Sequence, residues 1–322
     1  MKSRGTGRVP ALTELGMGAA QFGNLYRATS DDASTGAVDA AWAAGIRYFD
    51  TSPHYGLGLS ERRLGAALAT RSRDEYVLST KVDRLLGPSP EPAGERDTQG
   101  FDVPADHRRQ WDFTRDGVLR SIEASLERLG LDRIDIAYVH DPDDHVEEAI
   151  TQTLPALIEL RDQGVVSAIG LGMNQTAVPA EAIRRVDLDV VMCAGRFTLL
   201  EQGALDDLLP LALDRGVAIV AAGVYNSGML STPRPAADAT HNYEPAPPGL
   251  IAKAIRIAEV CELHGVSLPQ AAAQYPLQHP AVVSVVLGMR TAEQVAENAV
   301  RFEVPIPDAL WDDLAERRLI RG

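Results

Sequence analysis

Across 322 residues the chain is 45% apolar yet only 5% aromatic, and it carries a formal charge of −14 with a pI near 4.9. That length suits two domains or one large α/β barrel, and so acidic a surface disfavours nucleic acid and anionic membranes as partners. Cys193 and Cys261 are too few for a disulfide framework or a four-cysteine zinc site. The N-terminal MKSRGTGRVPALTELG lacks the apolar core of a signal peptide, and no apolar run reaches about 18 residues. A cytoplasmic enzyme is the expectation.

Taken in chain order, short β-branched apolar runs alternate with stretches of helical period. A strand at Leu15–Met17 precedes a helix at Ser34–Ala44 that stops at Gly45. Tyr48–Asp50, helix Glu61–Ala69 and strand Tyr76–Thr80 follow. The segment Asp83–Asp112, rich in Pro, Gly and charge, breaks the rhythm. Helix Thr114–Leu129 ends at Gly130, strand Ile134–His140 leads into helix Val146–Gln163, which stops at Gly164, and strand Val165–Gly170 follows. Helix Ala180–Arg185, strand Val190–Ala194, helix Gly203–Asp214 and strand Val217–Ala221 come next. After a second irregular segment, Val224–Gly249, the last strand Val282–Leu287 runs into helix Thr291–Phe302.

Eight such strands, near-continuously apolar, imply a parallel sheet covered on both faces. Eight units over this length point to a (β/α)8 TIM barrel, a single domain spanning 1–322, with insertions at about 83–112 and 224–249. Both insertions leave C-terminal strand ends, the face where barrel enzymes keep their active sites, so they are expected as lid or substrate loops. A doubly wound dinucleotide fold is disfavoured because Gly16-Met17-Gly18 lacks the third glycine and a fitting acidic partner.

Four polar residues fall at or just past different strand ends: Asp50, Lys81 after Ser79-Thr80, His140, and Tyr55 in the loop Thr51-Ser52-Pro53-His54-Tyr55-Gly56. A phenol with pKa near 10 is a poor acid or base at neutral pH. A neighbouring ammonium lowers that pKa, and a carboxylate keeps a buried ammonium charged. Asp50, Lys81 and Tyr55 therefore read as a device for tuning a phenol, which gives a proton to a carbonyl oxygen or takes one from a hydroxyl. His140 is placed to hydrogen-bond the same oxygen. Each residue alone has a plainer reading as a cap, a surface charge or a loop aromatic; the four together in this order favour chemistry.

The run Gly45-Ile46-Arg47-Tyr48-Phe49-Asp50-Thr51-Ser52-Pro53-His54-Tyr55-Gly56, with Ser60-Glu61, resembles the first signature of aldo-keto reductases. Ser79-Thr80-Lys81 and Val139-His140 resemble that family's lysine and histidine strand ends. The resemblance extends from Leu15 to about Phe302 and implies a catalytic tetrad of Asp50, Tyr55, Lys81 and His140, hydride transfer with NAD or NADP, and no metal. Three segments, Trp111–Phe113 with Gly117–Ser121, Val139–Asp144 and Ala194–Leu200, are similar to the family's branch of L-fucose (D-threo-aldose) 1-dehydrogenases and pyridoxal 4-dehydrogenases. That branch implies oxidation of a sugar at its anomeric carbon to a lactone.

For the cofactor, Gly288 admits close backbone approach and a helix N-terminus follows, with Arg290 and Thr291 suited to the adenosine phosphate region. The resemblance adds Gln294, Glu297 and Asn298 around the adenosine, the clasp Tyr225, Ser227, Gly228 and Leu230 over the pyrophosphate, and Asn174 at the carboxamide. Ala194 stands where many relatives carry Gln, Ala222 or Gly223 where they stack a Tyr, and Gln294 where they often place an Arg for the 2′-phosphate. That lost charge favours NAD. Phe22, Tyr26, His54 and Trp111 are the expected pocket rim, with Tyr243 reaching in from the second insertion. The expected partner is a small-molecule sugar, aldehyde or ketone. The competing readings are a general carbonyl reductase of the same family, a cofactor-binding regulatory barrel with little turnover, and a metal-dependent hydrolase using His54, His140, Asp141 and Asp144.

Overall fold

The structure, a computed structural model, describes residues 1–89, 94–242 and 244–321. Eight parallel strands close into a barrel in chain order: β1 (Leu15–Gly18), β2 (Tyr48–Asp50), β3 (Val77–Val82), β4 (Ile136–His140), β5 (Ala168–Met173), β6 (Val190–Ala194), β7 (Ala218–Ala222) and β8 (Val282–Gly288). Each pairs with its successor, and β8 returns to β1 from Val285 opposite Leu15 to Gly288 opposite Gly18. The strands are apolar on both faces because both are covered. Tyr48, Ile136, Tyr138, Val190, Met192, Val220 and Val286 fill the interior, while Phe49, Leu78, Val139, Leu171, Val191, Ile219 and Val285 pack outward under the helices. An antiparallel hairpin, Ser3–Arg4 with Leu12–Thr13, precedes β1, and Val9 and Leu12 join the interior cluster.

The outer ring comprises α1 (Asp31–Ala43), α2 (Leu59–Leu68), α3 (Arg115–Leu129), α4 (Leu154–Asp162), α5 (Ala177–Arg185), α6 (Leu208–Arg215), α7 (Pro248–Leu263), α8 (Leu268–Gln274), α9 (Ala292–Glu303) and α10 (Asp308–Glu316). Its caps follow the sequence: the hydroxyls of Ser30, Thr114 and Thr291 accept the amides of Ala33, Gly117 and Gln294, and Gly130 and Gly216 end helices in the left-handed region. None of the described helices is long and apolar enough to cross a membrane.

Several boundaries differ from the sequence reading for identifiable reasons. β5 starts three residues later than Val165, because the Val165 amide is taken by the Leu160 carbonyl at the end of α4. β3 runs on through Lys81 and Val82, so the lysine is part of the wall. The helix expected over 146–163 is interrupted by a π-helical turn at Ala149–Thr153, just before Pro155, which has no amide proton for an α-helical bond. The first insertion is no plain loop: Arg84–Pro88 pairs antiparallel with His107–Trp111 from Arg84 opposite Trp111 to Pro88 opposite His107. The second insertion is shorter than expected, since Pro248 already occupies the first turn of α7. α7, α8 and α10 add to the helices read from sequence.

Candidate active site

Asp50, Lys81 and His140 stand at the C-terminal ends of β2, β3 and β4, and Tyr55 leans over them from the loop after β2. The Lys81 ammonium donates to both carboxylate oxygens of Asp50, at 3.0 and 2.8 Å, and to the Thr51 carbonyl at 2.8 Å. It lies 4.8 Å from the centroid of the Tyr55 ring, whose centroid is 5.8 Å from that of His140. Asp50 also accepts the Ser79 hydroxyl at 2.7 Å. Ser79 lies 3.0 Å from the Tyr48 hydroxyl, which lies 3.2 Å from that of Tyr138. Because Ser79 spends its only proton on Asp50, the string is ordered, with Tyr138 donating to Tyr48, Tyr48 to Ser79 and Ser79 to Asp50. His140 Nδ1 is 3.1 Å from the Ser52 hydroxyl. All four expected residues line one cavity of about 620 Å³ at the barrel mouth.

The Tyr55 loop is seated by backbone contact. Gly56 has φ 62°, and a Cβ there would collide with the Gly23 carbonyl; a Cβ on Gly23 would in turn come within 2.5 Å of the Tyr55 carbonyl carbon. Ser60 donates to the Ala19 carbonyl at 2.6 Å and meets the Thr51 hydroxyl at 2.8 Å. The fully buried Glu61 accepts from Thr80 at 2.7 Å and from Arg128 at 2.6 Å, tying α2 to β3 and α3. Above the loop, Phe101 from the first insertion packs with Leu57 and Val103 and stands edge-on to His54, centroids 5.3 Å apart. Arg109 holds that insertion down, bonding Asp97 at 2.6 and 3.2 Å and the His54 carbonyl at 2.8 Å.

Burial sets the protonation states. It pushes the Tyr55 phenol above its ordinary range, and Lys81 offsets this only in part. The expectation that Lys81 leaves the phenol below its ordinary value is thereby corrected, because desolvation is the larger effect. Burial pulls Lys81 down, but Asp50 and Tyr55 together more than reverse it, so the ammonium stays charged. Burial, reinforced by Arg84 and Lys81, holds His140 well below the usual imidazole range, and burial with Arg84 and Arg109 takes His54 down to about 2. Both imidazoles are neutral.

On the opposite wall, Ala194, Ala222, Gly223, Val286 and Gly288 line a trough with no large side chain. A Cβ on Gly288 would strike the Gln21 amide, whose Oε1 is buried without a partner. Asn174 lies at the cavity edge, its carbonyl held by Arg196 Nε. In the following loop Asn226, Ser227 and Gly228 all have positive φ, and the amides of Ser227 and Gly228 meet no backbone carbonyl among the described residues. Leu230 is buried at the base of this loop, and Tyr225 donates to Asn298 Oδ1 on α9 at 2.7 Å. These features fit a flat amide-bearing ring in the trough with a phosphate-bearing tail running over Ser227 and Gly228 toward α9.

Other expected residues lie elsewhere. Arg290 is buried, with its guanidinium on the carbonyls of Leu25 and Arg27 and on the Thr29 hydroxyl, so it braces the loop before α1 rather than facing a phosphate. Gln294 accepts the Arg290 amide at 2.7 Å, Thr291 caps α9, and Glu297 pairs with Arg301 at 3.2 Å. Tyr26 and His54 line the cavity. Phe22 is fully buried in the core, and Trp111 stacks outside the cavity on Phe113. Tyr243 lies outside the described residues. The sequence reading did not single out Arg84, Gln21 and Phe101, which line the cavity, and considered Asp141 only as a metal ligand. Position after Lys81 was the one signal pointing to Arg84. A cavity of about 490 Å³ at the other end of the barrel is bordered by Arg4 and Glu14, already paired at 2.6 Å.

The profile of the aldo/keto reductase family matches residues 14–317. The chain is 50% identical over 313 residues to a D-threo-aldose 1-dehydrogenase from a Pseudomonas species, covering 96% of this chain and 95% of that one. It is 39% identical over 328 residues to a pyridoxal 4-dehydrogenase from Microbacterium luteolum, with coverage of 96% and 95%. Among solved structures, the holo form of an aldo-keto reductase from Bacillus halodurans has the same fold, with a TM-score of 0.77 at 24% identity over 100% of this chain and 97% of that one. The metal-dependent hydrolase reading falls with these matches. The chain belongs to the aldo/keto reductase family and is an oxidoreductase working with a nicotinamide cofactor.

Proposed function

We propose that the chain is an aldose 1-dehydrogenase, oxidising L-fucose or another D-threo-aldose at the anomeric carbon to a lactone, with Tyr55 as general acid/base. The observation that carries this is the Lys81–Asp50 ion pair, buried under the Tyr55 ring beside a neutral His140. The half-identical relative, named for D-threo-aldoses, supports the substrate class. The chemistry supplied by a bound nicotinamide is hydride exchange at the substrate carbon. Ala194, Ala222, Gly223 and Gly288 would hold its ring, with Asn174 and Gln21 beside it and Ser227 and Gly228 on the phosphates.

In oxidation the Tyr55 phenolate takes the proton of the anomeric hydroxyl; in reduction the phenol returns it. His140, its Nδ1 accepting the Ser52 hydroxyl, carries its proton on Nε2 and donates to the same oxygen. NAD is favoured over NADP because the guanidinium of Arg290 is committed to backbone carbonyls and position 294 is an uncharged Gln. Pyridoxal oxidation is the second reading, carried by the 39% identical relative.

A spectrophotometric panel of NAD⁺ and NADP⁺ against L-fucose, D-arabinose, L-galactose and pyridoxal tests the substrate. Turnover of the aldoses is expected; turnover of pyridoxal alone replaces this reading with the second. Tyr55→Phe is expected to lower kcat by about 10²–10⁴-fold in both directions while NADH still binds. A variant retaining wild-type kcat removes Tyr55 from the chemistry.

A further inference from the structure

Arg84 opens the hairpin of the first insertion, and its side chain lines the same cavity as Tyr55 and His140. Its guanidinium carbon lies 4.6 Å over the ring of Trp111. Trp111 is stacked on Phe113, centroids 5.4 Å apart and planes at 12°, with His145 at 5.5 Å. That platform fixes the direction of the cation.

What the guanidinium touches is sparse. Nη2 reaches the His140 carbonyl at 3.4 Å and Asp141 Oδ2 at 3.5 Å, both at the outer limit of a hydrogen bond, and Nε is buried without a partner. Arg109, two strand positions from Trp111 on the same hairpin, also has a partnerless Nε, but its two terminal nitrogens bond Asp97 and the His54 carbonyl at 2.6–3.2 Å. Arg84 has a side chain only 13% exposed, and a planar five-donor cation so enclosed and so short of acceptors calls for oxygens from a ligand.

The charges around it balance. Lys81 faces Asp50, Arg109 faces Asp97 and Arg84 faces Asp141, while burial keeps His54 and His140 neutral. A ligand therefore meets spare N–H donors without net positive charge, which suits hydroxyls better than a phosphate. The donors sit at the main-chain carbonyl of His140, in the wall of the cavity that Tyr55 and His140 also line.

We propose that Arg84, braced by Trp111, determines specificity by hydrogen-bonding the hydroxyl on the carbon next to the reacting one, and that the pocket selects neutral hydroxylated substrates over deoxy and phosphorylated ones. This rests on the dehydrogenase reading above and names the feature of the substrate that the same site recognises.

The test compares kcat/KM for D-arabinose and 2-deoxy-D-ribose, which differ only in the hydroxyl beside the anomeric carbon. The wild type is expected to prefer D-arabinose by about ten- to a hundredfold, the scale of one charge-assisted hydrogen bond. The ratio should fall toward unity in Arg84→Met and partway in Trp111→Ala, with NADH fluorescence confirming that each variant is folded. An equal ratio in wild type and Arg84→Met overturns the proposal. In the reductive direction D-glyceraldehyde should outrun D-glyceraldehyde 3-phosphate; the reverse order overturns the charge argument. If the wild type oxidises neither sugar, the aldose reading has failed, and Arg84 is then judged on lactaldehyde against propanal, where an unchanged ratio sinks it.

Discussion

Lys81 acts on Tyr55 against the larger effect of burial, and that opposition makes the lysine testable. In the proposed oxidation the phenolate is the base, so kcat should rise with pH through the phenol's range. Removing the ammonium in Lys81→Met raises that range further, and the rise should move up by about one pH unit or more. The same change leaves Asp50 buried beside no cation, which costs about 3–5 kcal/mol. Combining it with Asp50→Asn should restore much of the thermal stability without restoring the pH profile. If the profile of Lys81→Met coincides with wild type, the lysine serves the fold and not the phenol.

The element that matters most is the eight-residue loop between β2 and α2. Its course depends on three consecutive left-handed residues, Gly56, Leu57 and Gly58, and on the closeness of Gly56 to Gly23. An alanine at 56 must displace backbone. At 58 a Cβ would meet the side chain of Arg128, whose Cδ lies 2.6 Å from its position, so what must shift is that side chain with its bond to Glu61 and not the backbone beside Tyr55. Gly56→Ala should therefore lose about 1–3 kcal/mol of stability and lower kcat more than Gly58→Ala does, read by thermal melts and steady-state kinetics. Wild-type kcat in Gly56→Ala would show that the glycine contact does not seat the tyrosine. The motif around Tyr55 is thus partly chemical in the proposed reaction and partly architectural: Asp50 and Tyr55 face the cavity, whereas Ser60 and Glu61 hold the loop in place.

For the whole molecule, burying ionisable groups at the mouth makes stability depend on pH from both sides. Asp83, with φ 80° and one carboxylate oxygen unpartnered, is pushed up to about 8 by burial. A group raised in the fold from 3.8 contributes stability that is complete below that value and is lost as pH rises through about 8. The depressed imidazole of His54 works in the other direction: its contribution is present above 6.5 and is lost as pH falls toward about 2. Asp83→Asn, which removes the titration and tolerates the left-handed backbone, should raise Tm at pH 8 more than at pH 5. An equal gain at both values would mean that Asp83 does not change its proton binding on folding.

Local pattern was enough to specify the barrel and to gather four polar residues at one mouth. Strand–helix alternation needs only short-range periodicity, and the C-terminal strand ends are by topology a single face, so Asp50, Tyr55, Lys81 and His140 could be brought together on paper. Even so, the pattern missed the start of β5, where a helix-end hydrogen bond takes the first valine. What depended on distant parts of the chain was not legible. Arg290 looked like a phosphate ligand until the loop at 25–29 supplied carbonyls for it, and Phe22 and Trp111 looked like pocket walls until packing turned one inward and put the other under Arg84. The direction of the Tyr55 shift was likewise a tertiary matter, because desolvation is set by everything that covers a group and neighbours in sequence carry only the charges.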